Sequence, residues 1–126
     1  VRFRSLKKHE WQPKYEVSLT FQHTITVKML VDSGADFSVI SKELGIALGY
    51  TQAPGEALNQ ADGVGGSVDY FLRNVEMAID SQTFTAPVAW VQTEACEEIL
   101  LGRERVFDWF DIEFKQAEEM ILFKKR

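Results

Sequence analysis

Residues 30–41 read LVDSGADFSVIS, and the interruption inside this stretch decides how the rest of the chain is interpreted. An apolar segment runs into Asp32, turns through Ser33 and Gly34, and resumes as an apolar-rich strand. Aspartate is a poor strand residue and is seldom buried without a partner. Taken alone, the stretch favours a strand that ends in an Asx-type turn over a carboxylate held for chemistry. In either case Gly34 allows a tight turn and a close approach to a bound molecule.

The segments around this turn alternate between apolar and polar residues, which is typical of short strands. Ser41, with Leu44 three residues later, predicts the start of a short helix, and a second helix is predicted after Gly102. Pro87 predicts an edge or a bulge in its strand. The predicted strands are 15–21, 24–31, 37–40, a long one within 61–80, 83–91, a short buried one before Gly102, and a final hairpin of 110–114 and 120–123; residues 49–60 are predicted to form a loop. The pattern predicts an all-β barrel or sandwich with one or two short helices.

The length and composition fit one globular domain. The chain has 126 residues and is 45% hydrophobic, which is enough to build a core. We interpret residues 1–14 as an N-terminal extension and residues 15–123 as the core of a single domain spanning 1–126. The net charge of −5 argues against a nucleic-acid partner, and the basic residues at the two ends are interpreted as solvated tails.

The sequence also limits the compartment in which the protein works. Cys96 is the only cysteine, so no internal disulfide can form, which fits either a reducing compartment or a protein that is indifferent to redox conditions. No apolar run approaches the roughly 18 residues that span a bilayer, and no signal-peptide pattern is present. We therefore expect a cytoplasmic location and no membrane partner. The chain begins at Val1 rather than at Met, which is compatible with a piece of a longer polypeptide.

Most familiar catalytic and cofactor motifs are missing. The two histidines, His9 and His23, do not stand at ligand spacing to each other or to Cys96, so no metal or cofactor is expected. No serine-nucleophile elbow and no phosphate-binding loop motif occurs. Residues 63–66 are glycine-rich but lead into a predicted strand rather than a helix, which does not suit a phosphate site. The carboxylate of Asp32 remains as the candidate for chemistry.

Three motifs in register change the interpretation of that carboxylate. DSGAD at residues 32–36 resembles the Asp-Thr/Ser-Gly-Ala-Asp signature of retroviral-type aspartic proteases (retropepsins). DGVGG at 62–66 resembles the glycine-rich tip of their flap hairpin, and ILLGR at 99–103 resembles their Gly-Arg element before a C-terminal helix. The resemblance covers residues 15 to about 123. It implies a small closed β-barrel of the retropepsin type with a flap hairpin and one or two short helices.

An aspartic protease needs two carboxylates that share a proton, because two like charges about 3 Å apart cannot both ionise. Asp80-Ser81 is followed by Gln82 rather than Gly, and Asp62-Gly63 lacks the hydroxyl residue, so only Asp32 qualifies in this chain. A chain with half of the pair completes it by pairing with a copy of itself across a twofold axis. The sequence therefore predicts a homodimer that acts on a polypeptide.

The resemblance implies roles for several other residues. Ser33 would hydrogen-bond to the partner's loop, and Asp36 would pair with Arg103, next to Gly102, at the substrate or dimer edge. Val64 would cover the substrate while the flanking glycines let the flap move. The residues implied in substrate contact are Ala35, Asp36, Gly63, Val64, Gly65, Val39 and Leu100, with Leu30 beside them. Each role has a competing interpretation. Ser33 could be an ordinary turn serine, and Asp36 and Arg103 could be unrelated surface charges. The glycine-rich segment could be a plain mobile turn, and Leu30, Val39 and Leu100 could simply pack in the core.

The chain departs from the viral pattern at three places. Ser33 replaces the commoner Thr, a change that should preserve activity. Glu98, preceded by Glu97, stands where viral enzymes carry apolar or small residues, which predicts a preference for polar or basic side chains if it faces the cleft. The longer C-terminal segment resembles that of bacterial members, which favours a cellular, bacterial protein and leaves open how its dimer is held together.

Three hypotheses follow for the function. The leading one is an aspartic endopeptidase that is active as a homodimer, with an acid-leaning pH profile because its carboxylate pair must hold one proton. The alternative is a catalytically silent retropepsin-like module for peptide binding or dimerisation, against which the intact Asp32-Ser33-Gly34 argues. The third is an unrelated small β-barrel with coincidental motifs.

Overall fold

The computed structural model describes residues 12–63, 66–93 and 99–126, and every structural statement below concerns these ranges. The strands are β1 (Lys14–Thr20), β2 (Thr24–Val31), β3 (Ser38–Ile40), β4 (Asn59–Gly63), β5 (Gly66–Ile79), β6 (Gln82–Val91), β7 (Leu100–Leu101), β8 (Phe110–Lys115) and β9 (Met120–Lys125). The helices are α1 (Lys42–Leu48) and α2 (Val106–Trp109), and one 3-10 turn spans Gln116–Glu118. The prediction of an all-β fold with two short helices is confirmed.

Seven strands form one sheet in the order β1-β2-β7-β3-β6-β5-β4, and β1 also pairs with β5. This extra ladder, in which Leu19 faces Met77, joins the first strand β1 to β5 and closes a ring of six strands. The ring has the connectivity of the small closed barrel that the sequence predicted. Strand β4 pairs only with β5 among the described residues, so it lies outside the ring.

Most of the core side chains come from the strands of this ring, where alternation points every second side chain inward, and α1 and β8 add Leu48 and Phe110. The largest fully buried side chains are Phe71, Phe110, Leu19, Met29, Ile40, Leu48, Met77, Ile79, Leu101, Val17, Val75 and Val88. Strand β1 illustrates the pattern, since Val17 and Leu19 are buried while Glu16 is exposed. The apolar residues that alternate in the sequence therefore build the interior.

Helix α1 begins and ends where its sequence predicts. The Ser41 side chain accepts a hydrogen bond from the Leu44 amide at 3.2 Å, which satisfies a free N–H of the first turn. Gly49 ends the helix with a φ of 109°, a left-handed conformation that suits glycine. The buried residues Leu44 and Leu48 attach the helix to the core.

The inference from Pro87 is wrong. Strand β6 is internal, between β3 and β5, and its register with β5 is unbroken from Gln82 to Val91, so it contains neither a sheet edge nor a bulge. The proline is accommodated because the ladder with β3 begins only at Val88, one residue later. A proline can stand where its missing N–H costs no ladder bond.

The C-terminal hairpin of β8 and β9 is a separate two-stranded sheet, and Phe110 joins it to the core. The Phe123 ring stacks on Tyr15 of β1 with centroids 4.0 Å apart, and the Phe110 ring lies 6.4 Å from that of Phe84 in β6. A two-stranded sheet is marginally stable by itself, so these aromatic contacts with the barrel hold it in place.

In the described parts of the chain, no helix is long and apolar enough to cross a membrane.

Replacing Gly45 by alanine tests the packing of α1. A methyl group there would collide with the indole of Trp90, lying 2.7 Å from Cε2, and this side chain is buried and donates its Nε1–H to the Lys42 carbonyl at 3.1 Å. Overpacking of this kind costs about 1–3 kcal/mol, more than alanine gains over glycine in helix propensity. We expect Gly45→Ala to lower the free energy of unfolding in urea by more than 1 kcal/mol, taking about 1–3 as the range.

The matched control is Ile46→Ala on the same helix, where the side chain is 56% exposed. Its effect should stay within about 0.5 kcal/mol. Equal stability of Gly45→Ala and the wild type would show that the indole can move aside.

Candidate active site

The site is built where β7 inserts between β2 and β3. Leu30 pairs with Leu100 and Val31 with Leu101 in parallel, while Val39 of β3 pairs with Leu100 from the other side. Strands β2 and β3 are consecutive in sequence but not adjacent in the sheet. The connection at residues 32–37 must therefore pass the end of β7.

Asp32 opens this connection at the end of β2. Its amide donates to the Leu101 carbonyl at 3.0 Å, which continues the β2–β7 ladder by one bond. Its Oδ1 accepts a hydrogen bond from the Gly34 amide at 2.9 Å, and its carbonyl accepts one from the Ala35 amide at 3.2 Å. The Asx-type turn expected from the sequence is present, and it fixes the direction of the carboxylate. The Asp32 side chain is half-buried, whereas Ser33 and Gly34 are exposed.

Gly102 packs against the inner side of this connection. A methyl group at Gly102 would collide with the Phe37 carbonyl oxygen and lie 2.9 Å from that of Ala35. The Gly102 amide donates to the hydroxyl of Ser38 at 2.9 Å, and both residues are buried. The glycine is thus required for close approach. Sequence reasoning missed Ser38, although its place at an inward position of an apolar strand was a signal.

Asp36 and Arg103 come together, but the ion pair expected between them is not formed. Their loops are joined through the main chain, where the Arg103 amide donates to the Ala35 carbonyl at 2.9 Å and the Glu104 amide to the Asp36 carbonyl at 2.8 Å. The ion pairs within the described ranges join other residues. The Arg103 guanidinium instead lies 5.8 Å from the centroid of the Phe107 ring, and Asp36 and Arg103 line one surface depression with it.

The apolar residues assigned to substrate pockets form one row. Leu30, Leu100 and Val39 are register partners on three adjacent strands, so their side chains share a face of the sheet. All three are partly exposed, while the next pair along the strands, Val31 and Leu101, is buried. This row and the Asp32 turn therefore sit at the same end of β2.

The hairpin assigned to the flap is formed by β4 and β5. Gly63 pairs with Gly66 at its end and Asn59 pairs with Tyr70 at its base. Val64 and Gly65 lie outside the described residues, as do Glu97 and Glu98. Strand β4 was predicted as loop and turn, because NQADG carries no apolar alternation, and it is recruited into the sheet by pairing with β5.

The other Asp-Ser dipeptide has a structural role. Both oxygens of Asp80 accept from the Tyr15 hydroxyl, at 2.9 and 3.1 Å. Burial first, and then this hydrogen bond and the nearby charge of Asp80, raise the pKa of Tyr15 to about 12. No group of three or more metal-ligating side chains is found in the described ranges. The Asp80 carboxylate thus bonds to a side chain of strand β1, whereas the Asp32 carboxylate bonds to the main chain of its own turn.

The comparisons with known proteins agree with this site. A family model described as aspartyl protease matches residues 17–104, which include the Asp32 turn and the Gly102-Arg103 element. The chain belongs to this aspartyl protease family. No curated protein matches the sequence significantly.

A solved structure supports the same fold. The EIAV protease complexed with the inhibitor HBY-793 superposes with a TM-score of 0.56 at 22% sequence identity. The match covers 79% of this chain and 88% of that one. At this identity the likeness concerns the fold.

Removing the Ser38 hydroxyl tests the support of the site. Ser38→Ala leaves the buried Gly102 amide without its acceptor, which costs about 1–3 kcal/mol. We expect a fall of that size in the free energy of unfolding, measured by urea denaturation. Ser81→Ala, in an exposed turn, is the control and should be neutral. A neutral Ser38→Ala would mean that water or another group replaces the hydroxyl.

Proposed function

We propose that this chain is one half of a dimeric aspartic endopeptidase that hydrolyses peptide bonds between two Asp32 carboxylates, one from each subunit. The observation that carries the proposal is the half-buried Asp32 carboxylate on a turn held by hydrogen bonds from three main-chain amides, of which the one from Gly34 reaches the carboxylate. One carboxyl group cannot act as both base and acid in the same step. A second copy supplies the other group.

In the proposed reaction, the two Asp32 side chains share one proton because they cannot both be ionised at close range. The ionised carboxylate takes a proton from a water molecule as the water oxygen bonds to the peptide carbonyl carbon. The protonated carboxyl gives its proton to the carbonyl oxygen. As the resulting diol collapses and its C–N bond breaks, the protonated carboxyl gives its proton to the amine nitrogen. The ionised carboxylate takes a proton from a diol hydroxyl, which leaves the carboxylic acid product and restores the pair with one shared proton.

The neighbouring residues support this arrangement. Ser33 is exposed beside Asp32, where its hydroxyl can reach the loop of a second copy and hold the two carboxyl groups in one plane. Asp36 and Arg103 lie at the outer end of the same connection. Since they form no ion pair with each other in the single chain, they are available to a substrate or a partner subunit.

The substrate is an extended polypeptide segment. The row of Leu30, Val39 and Leu100 offers apolar contact next to Asp32, and the β4–β5 hairpin supplies a strand whose main chain can pair with a peptide. Strand-like binding uses main-chain hydrogen bonds for affinity and pockets for alternate side chains. We propose this mode with the hairpin as the flap.

The central test compares wild-type protein with Asp32→Asn on a denatured protein mixture at mildly acidic pH. Asparagine keeps the shape of the turn but cannot exchange the proton, so cleavage should fall by at least about 10²–10⁴-fold. New chain termini are read by mass spectrometry. Because two copies build one site, wild-type activity should rise faster than linearly with protein concentration until the dimer saturates.

The control is Asp80→Asn, which changes the other Asp-Ser dipeptide and should leave cleavage intact. Equal cleavage by wild type and Asp32→Asn would exclude the mechanism. Peptide binding without any cleavage, at every concentration tested, would favour the silent binding module.

The pH dependence gives a second, independent test. The pair must hold one proton to work, so the rate of peptide cleavage should be highest in the acid range and fall as pH rises. The measurement is kcat/KM for one peptide at a series of pH values, with folding checked at each by circular dichroism. A flat profile into strongly alkaline solution would contradict a shared proton.

A further inference from the structure

We propose that Arg73 is a positioning residue that fixes the base of the β4–β5 hairpin and thereby sets how tightly the substrate is held. The inference rests on the proposed function, because it assigns the hairpin the role of the flap. The group formed by Arg73, Glu56 and the Thr51 carbonyl is named the Arg73 clamp below.

The hairpin extends beyond the ring of strands. Strand β5 pairs with β4 from Gly66 to Tyr70 and with β6 from Tyr70 to Ile79, so Tyr70 marks the last residue held by β6. On the β5 side the base is secured again, since the Gln92 amide donates to the Asp69 carbonyl at 2.7 Å. Strand β4 has no other partner strand in the described ranges. Its position depends on the segment that leads into it.

That leading segment, residues 49–58, contains no helix or strand and is tied down by the clamp. The two guanidinium nitrogens of Arg73 donate to the two carboxylate oxygens of Glu56, each at 2.8 Å. One of them also donates to the Thr51 carbonyl at 2.9 Å. The Ala53 amide donates to Glu56 at 3.1 Å, so the acid closes its own loop while it binds the arginine.

The arginine itself is anchored in the core. Its guanidinium lies 5.2 Å from the ring centroid of Phe71 and 5.4 Å from that of Trp90, and its side chain is only 17% exposed. A planar guanidinium can stack on rings and bind a carboxylate with two bonds at once, which a lysine ammonium cannot do. The clamp therefore connects the start of the hairpin to two buried aromatic rings.

The charge state of the clamp suits the proposed acid activity. Hydrogen bonding to Arg73 is the main cause that lowers the pKa of Glu56, and the same bond raises the pKa of Arg73. A carboxyl group with a lowered pKa stays ionised at mildly acid pH and loses its bond only as pH falls through the lowered value. The hydrogen bonds between Arg73 and Glu56 are thus kept at the mildly acid pH at which the two Asp32 carboxyl groups would work.

The test uses Arg73→Lys and Glu56→Gln, both of which remove the two-bond contact without reversing a charge. The first readout is amide hydrogen exchange in the intact protein. We expect faster exchange by about tenfold in residues 59–63, with β1 and β2 unchanged. The matched control is Glu113→Gln. It removes the exposed ion pair in the separate β8–β9 sheet, where the Lys124 Nζ lies 3.6 Å from the Glu113 carboxylate, and it should leave exchange in residues 59–63 unchanged.

The second readout is peptide cleavage, with KM and kcat measured separately. A displaced hairpin weakens substrate binding, so KM should rise several-fold while kcat stays within about twofold. If Arg73 only stabilised the fold, amide exchange would instead become faster evenly over the barrel and KM would stay unchanged. That result would overturn the inference. So would two variants whose exchange and kinetics equal those of the wild type. If the wild type cleaves no peptide, the proposed function fails, while the exchange arm still decides whether Arg73 holds the hairpin.

Discussion

The close contact between Gly102 and the connection at residues 32–37 is the constraint on which the site depends. The carbonyl oxygens of Ala35 and Phe37 occupy the space that any side chain at position 102 would need. The Ser38 hydroxyl accepts a hydrogen bond from the Gly102 amide. This contact lets the two residues of β7 enter between β2 and β3. Without that insertion, β2 would not end beside a strand that can bind the Asp32 amide, and the turn would lose its direction.

The same arrangement explains why one carboxylate is presented in each chain. The Asp32 turn uses the ends of three strands, so a second copy of it would need a second set of such strands. In the ring, the other Asp-Ser dipeptide falls in a plain two-residue turn between Ile79 and Gln82, where Tyr15 binds the acid. The described residues contain one such set of strands, and the dimer proposed above would bring a second set to the site.

Much of this was predictable from local patterns, and the exceptions share a cause. Alternation located the strands that line the core, and Ser41 and Gly102 marked helix and turn positions by their chemistry. Alternation did not predict strand β4, because a hairpin strand outside the core needs no apolar period. Pro87 led to the wrong prediction of an edge or a bulge, because the second ladder of its strand begins only at Val88. The ion pair expected between Asp36 and Arg103 is not formed, and main-chain hydrogen bonds join the two loops instead. The roles of Ser38 and Glu56 come from hydrogen bonds with distant residues. The partner of Ser38 lies 64 positions away in the sequence and that of Glu56 lies 17 positions away, so no local pattern reveals them.

The Arg73 clamp follows from a mechanical requirement of this topology. A two-stranded hairpin is marginally stable by itself, and one that leaves its sheet can pivot where the last neighbouring strand ends. Here the ladder with β6 and the Gln92 amide control one strand at that point, which fixes the hairpin along one side only. Control of the other side requires a bond to the segment that precedes β4. The guanidinium of Arg73 meets this need, because it lies against the Phe71 and Trp90 rings of β5 and β6 and binds the segment before β4.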